Sequence, residues 1–353
     1  MQRVVEVRRD DFERLRLQET PTPEPQPGQA VLEVERFGCS SNNVTYAVLG
    51  DALRYWLVFP AGEGWGRIPV WGFARVVASA SPLLEAGTRV FGYCPMSSHL
   101  VLTPSRPTAT GFADASPHRA GLAPTYNTYR LLDADPAYER GREDEQLLLR
   151  PLFLLSFLLD DLLAERDQFG ADAVVVSSAS SKAALGTAFL LGRRGVPVLG
   201  LTSARNVDLV AALDVYEHVA AYESAEALPR EAVVLVDLAG SDAVRRAVER
   251  RFGDALRHSV VAGATHADAS GFTGDGRGDP DVFFLPDRLR ARVREWGQAE
   301  VDRCFADAWR PLLAWCDGWL AIDHARGPAE VMAVVRRILA GDVDPARGHV
   351  LSL

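Results

Sequence analysis

The chain of 353 residues is 48% hydrophobic and 24% charged, with a formal net charge of −9. That length and balance describe a globular protein with room for two cored domains, and they exclude a mainly disordered chain. The acidic excess, with no basic run anywhere along the chain, excludes a surface built for nucleic acid or anionic lipid.

In chain order, short apolar runs at 4–7, 15–17, 30–37, 74–78, 88–91 and 100–103 are separated by Pro, Gly and Ser, which predicts a β-rich barrel or sandwich. The proline series at 21–28 is a connector that cannot be helical. Residues 105–144 are rich in proline and charge and read as an insertion, with a surface loop over 133–145. An apolar helix is expected at 147–163. Strands at 173–177, 197–201, 233–236 and 258–261 then alternate with helices at 182–193, 206–213 and 242–252. Strands apolar on both faces imply a parallel sheet covered by helices, so this half is α/β, a doubly wound Rossmann-like domain. A Gly/Asp loop at 271–280 precedes a helical stretch carrying Trp296, Trp309, Trp315 and Trp319, a density that suits a core or a dimer interface. Helix 328–339 and an apolar run at 349–353 close the chain. The expected domains are a β-rich unit at 1–154, a nucleotide-binding unit at 155–300, and a segment at 301–353 that returns to the first.

Cys39, Cys94, Cys304 and Cys316 share no Cys-x-x-Cys spacing, and the seven histidines form no i, i+3 or i, i+4 pair. Neither a disulfide framework nor a zinc ribbon is expected. The start of the chain has no signal-peptide pattern, and the apolar segment at 147–163 is broken by Arg150, Asp160 and Asp161. A cytoplasmic protein without a membrane span is expected.

Of the 38 Lys and Arg residues only Lys182 is a lysine. It stands where strand 173–177 turns into a helix, in Ser178-Ala-Ser-Ser-Lys182. First-turn amides have no intrahelical partner and carry partial positive charge, so an anion fits there. A compact ammonium suits a phosphate as a point contact; on position alone, Lys182 also reads as a solvated helix residue.

The segments Gly28-Gln-Ala-Val-Leu-Glu-Val, Phe37-Gly-Cys-Ser-Ser-Asn-Asn-Val, Ala86-Gly-Thr-Arg-Val-Phe-Gly92, 170–182 and Arg347-Gly-His-Val-Leu351 together resemble the medium-chain dehydrogenase/reductase superfamily, on its zinc-free, quinone-oxidoreductase-like side. Asn42-Asn-Val-Thr-Tyr46, Arg150-Pro-Leu-Phe153 and Ser178-Ala-Ser-Ser-Lys182 resemble more closely an offshoot of it carried as a domain of unknown function.

The resemblance implies a GroES-like barrel domain beside the Rossmann-like one, NADPH as cofactor, a small-molecule substrate and a homodimer. It implies no metal, because Val70-Trp-Gly-Phe-Ala74 stands where the zinc enzymes carry Gly-His-Glu, although Cys39 lies near their cysteine. Ser178 and Ser181 fall on the first two glycines of the dinucleotide turn and Ala184 on the third, with Lys182 as an added phosphate ligand. Thr202, Ser203 and Arg205 replace the acidic residue of NAD-specific sites, which suits a 2′-phosphate and so NADPH rather than NADH. Ser203 also reads as a helix cap, as does Asn206. Ser156 matches a threonine near the nicotinamide, and Tyr222 a tyrosine at the adenosine end. In the substrate loop, Asn42 and Asn43 can hold a substrate oxygen and Tyr46 or Tyr55 can donate a proton. The ordinary readings are turn chemistry for the asparagines and packing for Tyr55-Trp56.

These features lead to an NADPH-dependent, metal-free reductase that transfers hydride to an activated C=C or a quinone- or enone-type carbonyl. Two alternatives share the scaffold. One is a non-redox lyase or isomerase in which Lys182 does acid–base or Schiff-base work. The other is a catalytically silent, nucleotide-sensing protein.

Overall fold

The structure, a computed structural model, describes residues 1–262 and 281–353. The Gly/Asp loop predicted at 271–280 lies outside the described residues. Two compact units emerge: Met1–Leu148 together with Leu320–Leu353, and Leu149–Trp319. The boundaries fall at 148/149 and 319/320, where the sequence pattern suggests 154/155 and 300/301. Among the described residues no helix is long and apolar enough to cross a membrane.

The first unit is built on a nine-stranded sheet and a three-stranded one. Its central strand, Ala30–Cys39, alternates buried and partly exposed side chains along part of its length and pairs antiparallel with Pro69–Ser79, His99–Leu102 and the closing strand Arg347–Ser352. A strand the sequence pattern does not reveal, Ala321–Arg326, lies parallel to Arg347–Ser352.

The segment expected as an insertion ending in a surface loop is instead part of this sheet. Pro104–Ser105, Gly111–Asp114 and Thr128–Leu131 extend it, Tyr129 pairing with Phe112 and Arg130 with Phe91. The Tyr129 ring lies on Gly92, where an added Cβ would come within 2.4 Å of it. The charges that suggest a surface are paired inside: Arg119 is 1% exposed and gives one N–H to Asp114 at 2.9 Å and another to the Tyr129 hydroxyl at 2.9 Å. Nor is 143–145 loop, since the long helix Glu143–Glu165 already begins at Glu143.

The second unit carries a six-stranded parallel sheet in the order His218–Ala221, Val198–Thr202, Ala173–Ser177, Val233–Asp237, Leu256–Val261, Asp281–Val282. Ala173–Ser177, Val198–Thr202 and Val233–Asp237 are buried at every residue, as strands covered on both faces must be. Helices Lys182–Arg193 and Asp242–Phe252 form as predicted. The predicted helix at 206–213 shrinks to Val207–Ala211, after a single 3-10 turn at Ala204–Asn206. The tryptophan-rich stretch forms helices Leu285–Trp296 and Gln298–Cys316. Trp309 packs on Phe153 at 5.6 Å and Trp315 on Phe189 at 5.3 Å, so these two serve the core, whereas Trp296 is exposed.

Candidate functional site

Chain order in the parallel sheet reverses between Ala173–Ser177 and Val233–Asp237. At such a switch point the carboxyl ends of adjacent strands diverge and leave a crevice for a ligand. Both strand ends carry polar groups. Ser177 is fully buried; its hydroxyl donates to Asp237 Oδ1 at 2.6 Å and accepts from the amides of Leu238 at 2.8 Å and Ala239 at 3.0 Å. Asp237, also fully buried, takes further donors from Ala239 N, Gly240 N and Arg245 Nη1. A carboxylate with this many donors is held in place. Sequence reasoning overlooks the pair, although an acid ending an otherwise apolar buried strand is a usable signal.

The next residue, Ser178, has φ of 53°. This is the left-handed conformation in which glycine is at ease and a side chain costs roughly 1–2 kcal/mol. The turn therefore keeps the backbone path for which related turns use glycine, with a serine on it. Its N–H donates to the Tyr222 hydroxyl at 3.1 Å. Burial, the largest cause, pushes the Tyr222 phenol up to about 12, so it stays protonated near neutrality. Tyr222 also lines a cleft of about 450 Å³ beside helix Asp242–Phe252, with Val244 and Arg250.

Ser181 is the N-cap of helix Lys182–Arg193, its hydroxyl accepting from Ala184 N at 3.2 Å. Lys182 is the first helical residue and is half-buried. Ser180, between Ser178 and Ser181, ties the turn to the second strand: Thr202 Oγ1 lies 3.2 Å from its hydroxyl, and Asn206 Nδ2 donates to it at 3.1 Å. Asn206 thus reaches back to the turn instead of capping its own short helix, which has no side-chain cap. Ser203 is half-buried at the end of the second strand and Arg205 is exposed two residues on. The structure thus gathers Ser178, Ser181, Lys182 and Tyr222 around one turn, with Ser203 and Arg205 beyond the neighbouring strand end. Ser156 is not among them. It is fully buried against Gly186, and its hydroxyl donates to Ala183 O at 2.7 Å.

In the first unit the expected substrate loop is in part a short helix, Asn42–Val48. Asn42 and Tyr46 share a face by their i, i+4 spacing. Asn43 is buried, its carbonyl accepting from Ser40 N at 2.8 Å and its amide donating to Pro69 O at 2.9 Å. It holds the helix to the sheet. Tyr46 and Tyr55 come together with ring centroids 4.8 Å apart. Trp71 Nε1 lies 3.4 Å from the Tyr46 hydroxyl, and the Tyr55 hydroxyl 3.0 Å from that of Tyr126. Burial pushes the phenols of Tyr46 and Tyr55 up, Tyr55 far above the ordinary tyrosine range. Both remain O–H donors at any working pH. Tyr126 and Tyr93, which pack with them, escape sequence reasoning because they come from distant strands and turns.

Among the described residues no three His, Cys, Asp or Glu side chains converge as a metal site. Cys39 is buried, and burial pushes its thiol up to about 12.

A parallel doubly wound unit joined to a β-rich, GroES-like unit defines the fold of the medium-chain dehydrogenase/reductases. The chain aligns with CurA from Vibrio vulnificus in complex with NADPH at 13% identity and TM-score 0.62, covering 99% of this chain and 98% of that one. It aligns with Escherichia coli quinone oxidoreductase complexed with NADPH at 16% identity and TM-score 0.60, covering 99% of each. A thermostable alcohol dehydrogenase from Pyrobaculum aerophilum matches at 14% identity and TM-score 0.57, covering 100% of this chain and 99% of that one. No curated protein matches the sequence. Within this fold the chain belongs to the family described as "Protein of unknown function (DUF2855)", whose profile matches residues 37–344.

Proposed function

We propose that this protein is an NADPH-dependent reductase that reduces an activated C=C bond or a quinone- or enone-type carbonyl. The observation that carries the reading is the turn at the switch point, where Ser178 takes a left-handed conformation and Lys182 opens the following helix. That is a backbone shaped for close approach of a pyrophosphate, with an ammonium added. Similarity in fold to NADPH complexes of a quinone oxidoreductase and of CurA supports the same cofactor.

The residues present fit it. Lys182 and the first-turn amide of Ala183 would meet the pyrophosphate, and the Ser181 hydroxyl, which accepts from Ala184 N, keeps its own proton to give. Arg205, exposed beyond a strand end without an acidic residue, would take the 2′-phosphate. NADPH, when bound, supplies a hydride. The chain's part is then to stabilise negative charge on the acceptor oxygen, for which Tyr46 and Tyr55 are protonated donors.

Thermal shift and fluorescence titration with NADPH test the reading. Binding in the micromolar range is expected, with a weaker response to NADH. Lys182→Ala should weaken NADPH by roughly tenfold or more, the value of a charge-assisted hydrogen bond. No response to NADPH at millimolar concentration would overturn the proposal.

A further inference from the structure

Strand order in the second unit sets a span that only a long side chain can bridge. Tyr222 follows the edge strand His218–Ala221 and Ser178 follows Ala173–Ser177, with Val198–Thr202 between them. Neighbouring strands lie about 4.7–4.9 Å apart, so these two strand ends are roughly 10 Å apart. The Tyr222 side chain crosses the gap, and its hydroxyl oxygen receives the Ser178 N–H at 3.1 Å. The direction of this bond is fixed, because a main-chain amide can only donate.

Ser178 needs such a hold. Its φ of 53° is one that a residue with a Cβ opposes, and conformations of this kind persist only where the surroundings over-determine them. On one side, the Ser177 hydroxyl is bound to Asp237 and to the amides of Leu238 and Ala239. On the other, Ser181 N donates to Ser178 O at 2.7 Å, Ala179 N to Leu201 O at 2.9 Å, and the Tyr216 hydroxyl to Ala179 O at 3.0 Å. These bonds fix the neighbours and the Ser178 carbonyl. The bond to Tyr222 acts on the amide of the strained residue itself. Ser178 is only 8% exposed, so water is a poor substitute for that acceptor.

We propose that Tyr222 is a positioning residue for the turn: by accepting from the Ser178 amide it holds a serine in the left-handed path that a pyrophosphate requires, and so lets this chain do without the glycine of related turns. The inference rests on the reductase reading only for its ligand, NADPH; the hold itself is measured without one. When the binding-competent conformation is populated in a fraction of molecules, affinity falls by that fraction, so losing the hold should appear in binding.

Tyr222→Phe keeps the ring and loses the acceptor. It should weaken NADPH by roughly three- to tenfold in fluorescence titrations, the worth of one hydrogen bond. In the Ser178→Gly background, where positive φ needs no support, the same substitution should change affinity by less than about twofold, the scatter of independent sites. In the Ser178→Ala background, which lacks the side-chain hydroxyl that also reaches the phenol but keeps the Cβ, the full loss should return. Direct contact between Tyr222 and the nucleotide would give one equal loss in all three backgrounds, and that result would overturn the proposal. So would an unchanged affinity in Tyr222→Phe. A second readout needs no nucleotide: amide exchange at Ser178 should quicken in Tyr222→Phe, while Ala184, held by Ser181, keeps its rate. Unchanged exchange at Ser178 overturns the proposal whatever NADPH does. Quickened exchange in a protein that ignores NADPH would sink the reductase reading and leave the hold of Tyr222 on the turn standing.

Discussion

The dinucleotide-like turn of the second unit and the tyrosine nest of the first both concentrate hydroxyl groups in a buried place, and they spend them in opposite ways. In the turn, Ser177 accepts from two main-chain amides and Ser181 from a third, while Ser180 ties two strand ends together. Short side chains on a turn reach only nearby groups, so they shape the backbone. In the nest, phenols reach across the unit and bond to one another and to Trp71. One region is prepared by its main chain, the other by its side chains.

The largest expected effect is on what holds the nest. Arg119 and Asp114 have side chains only 1% exposed each, and removing one member of such a pair strands a buried charge, at about 3–5 kcal/mol. Arg119→Met should lower unfolding stability by that amount in urea titrations of the wild type and variant. The double variant Asp114→Leu with Arg119→Met should recover most of the loss, since an apolar pair of similar volume is often neutral. A double variant as unstable as the single would show that the hydrogen bonds of Arg119 to the Tyr126 carbonyl and the Tyr129 hydroxyl, rather than its charge, hold the segment that carries Tyr126.

The two regions also differ in how far sequence alone reveals them. The turn is contiguous: an apolar strand, serines, one lysine and a helix follow each other from 173 to 193, and both Ala173–Ser177 and Lys182–Arg193 match their predicted bounds. Its partners are not contiguous. Tyr222 meets Ser178 and Asp237 meets Ser177 only because parallel strands put their ends side by side. Ser156 shows the limit of matching by offset, since its hydroxyl is taken by Ala183 O against a glycine on the next helix. Of the nest, Tyr46 and Tyr55 are legible from their loop. Tyr126 hides in a segment whose prolines and charges suggest a surface, and buried Arg119 looks like any exposed arginine until its partners are in place.

A smaller effect, of about 1 kcal/mol, should separate two substitutions in the turn. Ser178→Ala and Ser178→Gly both remove the hydroxyl, but only glycine removes the Cβ that the left-handed backbone opposes. Ser178→Gly should therefore be the more stable of the two by thermal denaturation, and its NADPH titration should be no weaker. If alanine proves the more stable, the backbone of the turn is not what selects the residue here, and the contrast with the side-chain-built nest loses its basis.

The smallest effect concerns pH. In the first unit Glu143 is 5% exposed, and burial by itself would raise its pKa. Hydrogen bonds from Arg89 and Tyr138 and the charges of Arg89 and Arg36 outweigh burial and hold the carboxyl below its ordinary value of 4.5. The folded form therefore binds fewer protons than the unfolded form as pH falls through that value. The stabilisation is fully present above it and is lost through the folded pKa below. Glu143→Gln should cost stability near neutrality and flatten the decline in acid, measured as thermal midpoint against pH. The Ser181 hydroxyl does not titrate in this range, so local exchange of the Ala184 amide hydrogen, which it holds, should keep its protection at a pH where the first unit has begun to loosen. Simultaneous loss in both regions would mean that the units respond to acid as one, whatever their hydrogen bonds are made of.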